Sequence, residues 1–343
     1  MVDLNRVKDS KVKNIIFIAD GGIGKVISAT AVVKRLAETF PDKRIIVMTG
    51  YPDIFLYNPN VYKVFNFGNP LYFYDDYVND ESFVIKVEPY TQYSYMFESE
   101  HLIDSWCKMI GIERNGAMPE MFYMDNELEA ASAYVNKITG NNKKKFVMFQ
   151  WIGGIVPQTK EEMAVIDALG RMYRRSLPKS VAQKVSNKLV SRDYVVGVVQ
   201  HENFPELQGA EKVFFPNTPV RGVIALLKYT EGFIGIDSFI HHASMIFNTP
   251  GVVIWGGTSP KKLGYEQHIN LVPKNLCKTP FCHRPDSYVF DSTSIGSIWN
   301  CPYNTKCLQY DADEIIESYE KLLEGKKKVE SKEESKPVTE EVE

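Results

Sequence analysis

The sequence predicts an α/β protein of parallel sheets and crossover helices, organised as two units in 343 residues. Two observations predict it. A strand, a helix and a second strand follow one another between residues 14 and 48, which implies a parallel sheet with a right-handed crossover. The same alternation then restarts after a polar run at residues 139–145.

The first strand is Asn14 to Ala19, and it runs into Asp20-Gly21-Gly22-Ile23-Gly24-Lys25. A helix is expected from Val26 to Phe40, where Ile27, Ala31, Val32, Leu36 and Phe40 recur at helical spacing. Pro41-Asp42 breaks it. Arg44 to Met48 form the second strand, followed by the turn Thr49 to Asp53. Residues 57–100 are rich in Tyr, Phe, Asn and Asp and alternate short strands with loops; their aromatics suit packing better than base stacking. Helices follow at Glu100–Ile110 and Asn126–Ile138.

The second unit opens with the strand Phe146 to Trp151. It continues with helices near 159–174 and 178–190, strand Tyr194–Val199 and a helix near Pro219–Lys228. A last helix spans Asp313–Leu323. The expected domains are 1–139 and 140–324. The tail, 325–343, is charged and poor in large apolar groups, and is expected to be disordered.

Hydrophobic residues make up 44% of the chain and charged ones 24%, the balance of a soluble globular protein. A net charge of −3 gives no global attraction to nucleic acid. No apolar run is long enough to span a bilayer, and the polar N-terminus lacks a signal-peptide core. The expected compartment is the cytoplasm, with peripheral membrane contact left open. Cys277, Cys282, Cys301 and Cys307 cluster late, at spacings looser than paired C-x2-C. They admit structural zinc, or reduced thiols packing a loop.

The segment from Gly232 to Pro260 carries the strongest chemical signal. The strand Gly232–Ile236 ends at Asp237-Ser238, both good helix N-caps, and a helix with His241 and His242 follows. Val252–Trp255 form another strand, which opens into Gly256-Gly257-Thr258-Ser259-Pro260. Two helix starts and a glycine loop at the carboxyl ends of parallel strands predict an anion site.

This segment resembles the donor-binding half of the family 9 glycosyltransferases, the heptosyltransferase-like enzymes of lipopolysaccharide assembly. Asp237, Ser238, His241, Ala243, Gly257, Thr258 and Pro260 stand in the family's order, with Phe239 where the family has Gly. The resemblance implies a GT-B fold, two Rossmann-like domains facing across a cleft, with the donor on the second and the acceptor on the first. It implies inverting, metal-independent and cofactor-free transfer from a nucleotide-activated sugar, ADP-heptose foremost, to an unknown glycan, lipid-linked or other hydroxyl acceptor. Ser238, Thr258 and Ser259 would meet the diphosphate. Arg175 stands in the frame of the family's cationic residue and Glu202 in that of its ribose-binding carboxylate. Asp237 would orient the helix or touch the sugar. His241, rather than His242, would face the cleft.

The first glycine loop has two readings. A P-loop needs G-x-x-x-x-G-K-[ST], but Ala19 and Val26 occupy the first Gly and the Ser/Thr positions, so an ATPase would rely on Lys25 alone. The family reading makes Gly21, Gly22 and Gly24 an acceptor-side loop, since glycine lets a ligand approach closely. Lys25 then falls where the family has its general base, an Asp. Asp20 or Asp53 would take over proton acceptance, or Lys25 would bind an anion, or the chain would be a silent nucleotide-sugar binder.

Overall fold

The computed structural model describes residues 2, 4–68, 70–153, 176–200, 205–214, 219–274, 281 and 306–334, with side chains except at 200, 212–214 and 327–334. A short helix, α1 (Leu4–Val7), precedes the first sheet. That sheet contains β1 (Asn14–Ala19), β2 (Arg44–Thr49), β3 (Lys63–Asn66) and β4 (Ser82–Ile85), in the order β3-β2-β1-β4. All its pairs are parallel, with Ile16 opposite Ile46 on one side and Val84 on the other. The run NIIFIA in β1 is apolar without alternation because helices or loops cover both faces.

The second sheet contains β5 (Lys145–Gln150), β6 (Tyr194–Gln200), β7 (Glu211–Phe214), β8 (Gly232–Ile236), β9 (Gly251–Ile254) and β10 (Ile269–Leu271). Its order is β10-β9-β8-β5-β6-β7, again parallel throughout. The carboxyl edges of the two sheets therefore end at Asp20, Gly50, Phe67 and Lys86 in the first, and at Trp151, Asp237 and Trp255 in the second.

Helix α2 (Ile23–Thr39) follows β1, and α3 (Phe73–Tyr77), α4 (Tyr93–Phe97), α5 (Leu102–Ile110) and α6 (Asp125–Thr139) complete the first half. The second half adds α7 (Lys179–Val190), α8 (Val220–Ala225), α9 (Phe239–Ala243), α10 (Pro260–Leu263) and α11 (Ala312–Glu334). Helix α11 corrects one expectation: it continues past residue 324 into the tail expected to be disordered. Scarcity of apolar side chains argues against a packed core, whereas Lys and Glu remain good helix formers. The expected helix at 159–174 lies outside the described residues. No described helix is long and apolar enough to cross a membrane.

One core cluster is continuous between the halves. It joins Ile27, Leu36 and Trp106 to Ile240, Met245, Trp255 and Tyr265. Helix α2 packs directly on α9 at this seam. Arg221 of α8 adds a polar tie. Its guanidinium donates to both Glu127 carboxylate oxygens at 2.7 Å, to the Asp53 carbonyl at 2.8 Å and to the Phe122 carbonyl at 2.6 Å. The rings of Tyr123 and Tyr57 flank it at 4.6 and 5.4 Å.

Candidate functional site

The glycine loop is shorter than expected. Gly22 is the N-cap of α2, so Gly24 and Lys25 lie in its first turn rather than in an open loop. Gly21 makes the turn at φ +100, a conformation L side chains rarely adopt. Gly24 serves packing, not ligand approach. A Cβ there would lie 2.9 Å from His242 Cδ2 and 3.4 Å from the Phe239 Cα, so its bareness lets α2 meet α9. Gly22 alone fits the expected role, since a Cβ there would meet no atom within 4 Å.

Lys25 is buried, 5% exposed. Its ammonium contacts Glu88 Oε2 at 2.7 Å and Asp20 Oδ1 at 3.2 Å, over the rings of Tyr90 and Trp106. A P-loop lysine must reach out to phosphates; this one is turned inward and neutralised by two carboxylates. Glu88 also accepts from the Tyr90 amide at 3.2 Å, capping the turn Pro89–Thr91. Asp20 keeps its second oxygen 4.0 Å from Lys86 Nζ, and its side chain is 41% exposed. Asp53 has an exposed carboxylate, on the single turn Pro52–Phe55.

On the second sheet, the expected anion site at the start of α9 is corrected. That helix has five residues, and two amides at its start already have acceptors. Ser238 N–H donates to His241 Nδ1 at 3.3 Å, and Ile240 N–H donates to Gln150 Oε1 at 3.3 Å. Gln150 Nε2 in turn donates to Ser238 Oγ at 2.9 Å. Gln150 went unnoticed in the sequence, although a polar residue closing the apolar run KFVMF was a readable signal. Glu88 gave no such signal, because its partner Lys25 is 63 residues away.

The histidines exchange their expected places. His241 is fully buried, with Nε2 2.9 Å from the Leu263 carbonyl and Nδ1 2.7 Å from the Ser238 carbonyl. His242 is the one that faces the first unit, with Nδ1 2.9 Å from the Tyr265 hydroxyl and 3.4 Å from Ser28 Oγ. The two rings lie 3.8 Å apart. Asp237, His241 and His242 offer ligand atoms within 4.8 Å of one another, a set that could hold a cation. Burial and the Arg114 charge push His101 down to about 3, and burial does the same to His268, so both are neutral at ordinary pH.

The loop after β9 differs from this hydrogen-bonded neighbourhood. Gly256, Gly257 and Thr258 are buried, and among the described residues the Thr258 hydroxyl has no hydrogen-bond partner. Ser259 is half-buried and caps α10 without using its side chain. Lys262 of α10 donates to the Met96 carbonyl at 3.0 Å and lies over the Tyr95 ring at 4.9 Å, which brings this loop against α4. Arg175, Glu202, Cys277, Cys282 and Cys301 lie outside the described residues. Cys307 is half-buried.

No protein-family model matches the chain, and no curated protein does. Solved structures match over almost its full length. A family 9 glycosyl transferase from Veillonella parvula DSM 2008 superposes with a TM-score of 0.63 at 12% identity, covering 91% of this chain and 98% of that one. The Escherichia coli ADP-heptose lipopolysaccharide heptosyltransferase II gives 0.61 at 11% identity, over 92% and 99%. The iron-containing dodecameric glycosyltransferase TibC from enterotoxigenic E. coli H10407 gives 0.63 at 14%, over 92% and 78%. The two parallel sheets and this likeness show that the chain has the two-domain GT-B fold of the family 9 glycosyltransferases and heptosyltransferases.

Proposed function

We propose that this chain transfers a sugar from a nucleoside-diphosphate sugar to a hydroxyl acceptor, with the donor's diphosphate held at the loop Gly256–Ser259. The observation that carries the reading is the buried Thr258 hydroxyl after the carboxyl end of β9, which has no hydrogen-bond partner among the described residues. A buried hydroxyl without a partner costs roughly 1–3 kcal/mol, a cost removed when a ligand oxygen accepts its hydrogen bond. Ligands of open parallel sheets bind at this edge. The neighbours' names favour an ADP-sugar as donor, ADP-heptose first.

Asp20 is the acceptor-side base in this reading. Its carboxylate accepts the acceptor's hydroxyl proton as that oxygen bonds to the anomeric carbon. The bond from that carbon to the diphosphate oxygen breaks, its electron pair leaves with the nucleoside diphosphate, and the anomeric configuration inverts. Gly22 leaves room beside Asp20 for the acceptor. Lys25 is a positioning residue: with Glu88 it fixes the Asp20 carboxylate without lending it a whole uncompensated charge. The chain uses no metal in this account.

A silent nucleotide-sugar binder is the second reading, favoured by the contact between Asp20 Oδ1 and Lys25. Incubation with ADP-heptose and mixed hydroxyl acceptors separates the two. The transferase reading expects ADP release that falls on Asp20→Asn while ADP still stabilises the variant. Stabilisation by ADP-heptose with no release from the unaltered chain establishes the silent binder. Stabilisation by Mg-ATP alone contradicts both.

A further inference from the structure

We propose that Gln150 is a positioning residue for the donor: its side-chain amide aims the Ser238 hydroxyl hydrogen at a diphosphate oxygen. The inference rests on the glycosyl-transfer reading. It adds to the Thr258 contact a second hydroxyl and the residue that orients it.

Gln150 closes β5 after the apolar run Phe146–Phe149 and is 5% exposed. A carboxamide so buried needs a partner at each end. Strand β5 pairs in parallel with β8, with Gln150 opposite Gly235, and the side chain reaches the residues that follow β8.

The backbone fixes which way the amide lies. Ile240 N–H can only donate, and it lies 3.3 Å from Oε1. Nε2 is therefore the end that meets Ser238 Oγ, at 2.9 Å. An amide nitrogen can only donate, so the Ser238 oxygen accepts in that contact and its own hydrogen points elsewhere. Among the described residues, no acceptor takes that hydrogen.

A glycine keeps the space beside this hydroxyl clear. A Cβ on Gly153 would lie 3.1 Å from Ser238 Oγ and 3.1 Å from Ile236 Cδ1. Ser176 holds Gly153 in place: its Oγ accepts from the Gly153 N–H at 3.0 Å and donates to the Gly153 carbonyl at 3.2 Å.

Hydrogen-bond polarity selects the occupant. The Ser238 and Ile240 amides already have acceptors, so an anion at the start of α9 depends on side-chain hydrogens. Strands β8 and β9 are neighbours, with Ile236 opposite Ile254, so Ser238 follows one strand end and Thr258 the next. With its oxygen engaged by Gln150, Ser238 offers a donor alone. The outer oxygens of a nucleoside diphosphate accept, and a hydrogen bond to a charged oxygen is among the stronger ones.

The test is a double-mutant cycle in the full chain, read as the dissociation constant of ADP. Ser238→Ala is expected to weaken ADP binding roughly tenfold, about 1.4 kcal/mol. Gln150→Met is similar in size but lacks both amide ends. It is expected to weaken binding roughly fivefold on the unaltered background and by no more than about twofold on the Ser238→Ala background. A Gln150 that served the fold alone would cost the same factor on both backgrounds, and that result overturns the proposal. So does unchanged ADP affinity in Gln150→Met or in Ser238→Ala. Gln150→Glu covers the case in which Gln150→Met does not fold. It keeps an acceptor for Ile240 N–H, but its second oxygen takes the Ser238 hydrogen away from the ligand. Its loss of ADP affinity should be about fivefold larger with Ser238 in place than on the Ser238→Ala background, and an equal loss overturns the proposal. These failures leave the donor site standing if Thr258→Val still weakens ADP binding, whereas an unaltered chain that does not bind ADP overturns the diphosphate reading as well.

Discussion

The carboxyl edges of the two sheets are built to opposite plans. The second edge is buried and already hydrogen-bonded: Gln150 ties Ser238 to Ile240, and His241 lies against two carbonyls. Among the described residues, Thr258 Oγ1 and Trp151 Nε1 are exceptions, buried without a hydrogen-bond partner. The first edge is open, with a part-exposed Asp20, a bare Gly22 and solvent-facing aromatics on the segments that follow β3 and β4. The contrast suits a donor held in one fixed pose and an acceptor received on an adaptable surface. It also places the rigid seam between the units, where α2 meets α9, rather than at the ligands.

Acidification is expected to break that seam most strongly. His101 on the first side and His268 on the second are both held near 3, below the ordinary 6.5. His101 faces Arg114 and Tyr265; His268 faces Ser244, Tyr265 and Phe233. Each binds fewer protons folded than unfolded, so its stabilising contribution is complete above pH 6.5 and is lost as pH falls toward 3. Glu127, lowered by its Arg221 hydrogen bonds, acts in the same direction at the acid end. A melting temperature that stays flat from pH 7 to pH 4 contradicts the neutral assignment.

Arg221→Ala comes next. It strips Glu127 and two carbonyls of their donor at a site where Arg221 is 5% exposed. A loss of about 3–5 kcal/mol is expected in urea unfolding. Gly24→Ala should cost about 1–3 kcal/mol, because its methyl meets His242 and the Phe239 backbone. If Gly24 were instead an acceptor contact, that variant would fold normally and lose only activity.

Much of this architecture was legible in the sequence. The strands β1, β2, β5, β8 and β9 read clearly because buried parallel strands are apolar without interruption. The start of α2 was missed because a Gly-Ile-Gly-Lys run looks like a loop, and only distance to α9 reveals why glycine is needed. The inward turn of Lys25 depends on Glu88, and the exchange of the two histidines depends on Tyr265 and Ser28. Partners so far apart in the chain leave no local pattern. The loop Gly256–Pro260 stood out because glycines, hydroxyls and a helix-starting proline have few uses together at a strand end.

The most direct measurement compares Thr258→Val with the unaltered chain, each unfolded with and without ADP-heptose. Without ligand the variant should be more stable by about 1 kcal/mol, since a buried hydroxyl with no partner has been replaced by a methyl. At 100 times the dissociation constant, ADP-heptose should stabilise the unaltered chain by about 2.7 kcal/mol, and the variant far less. A variant that is less stable alone and equally stabilised by ADP-heptose would contradict a diphosphate site at the end of β9.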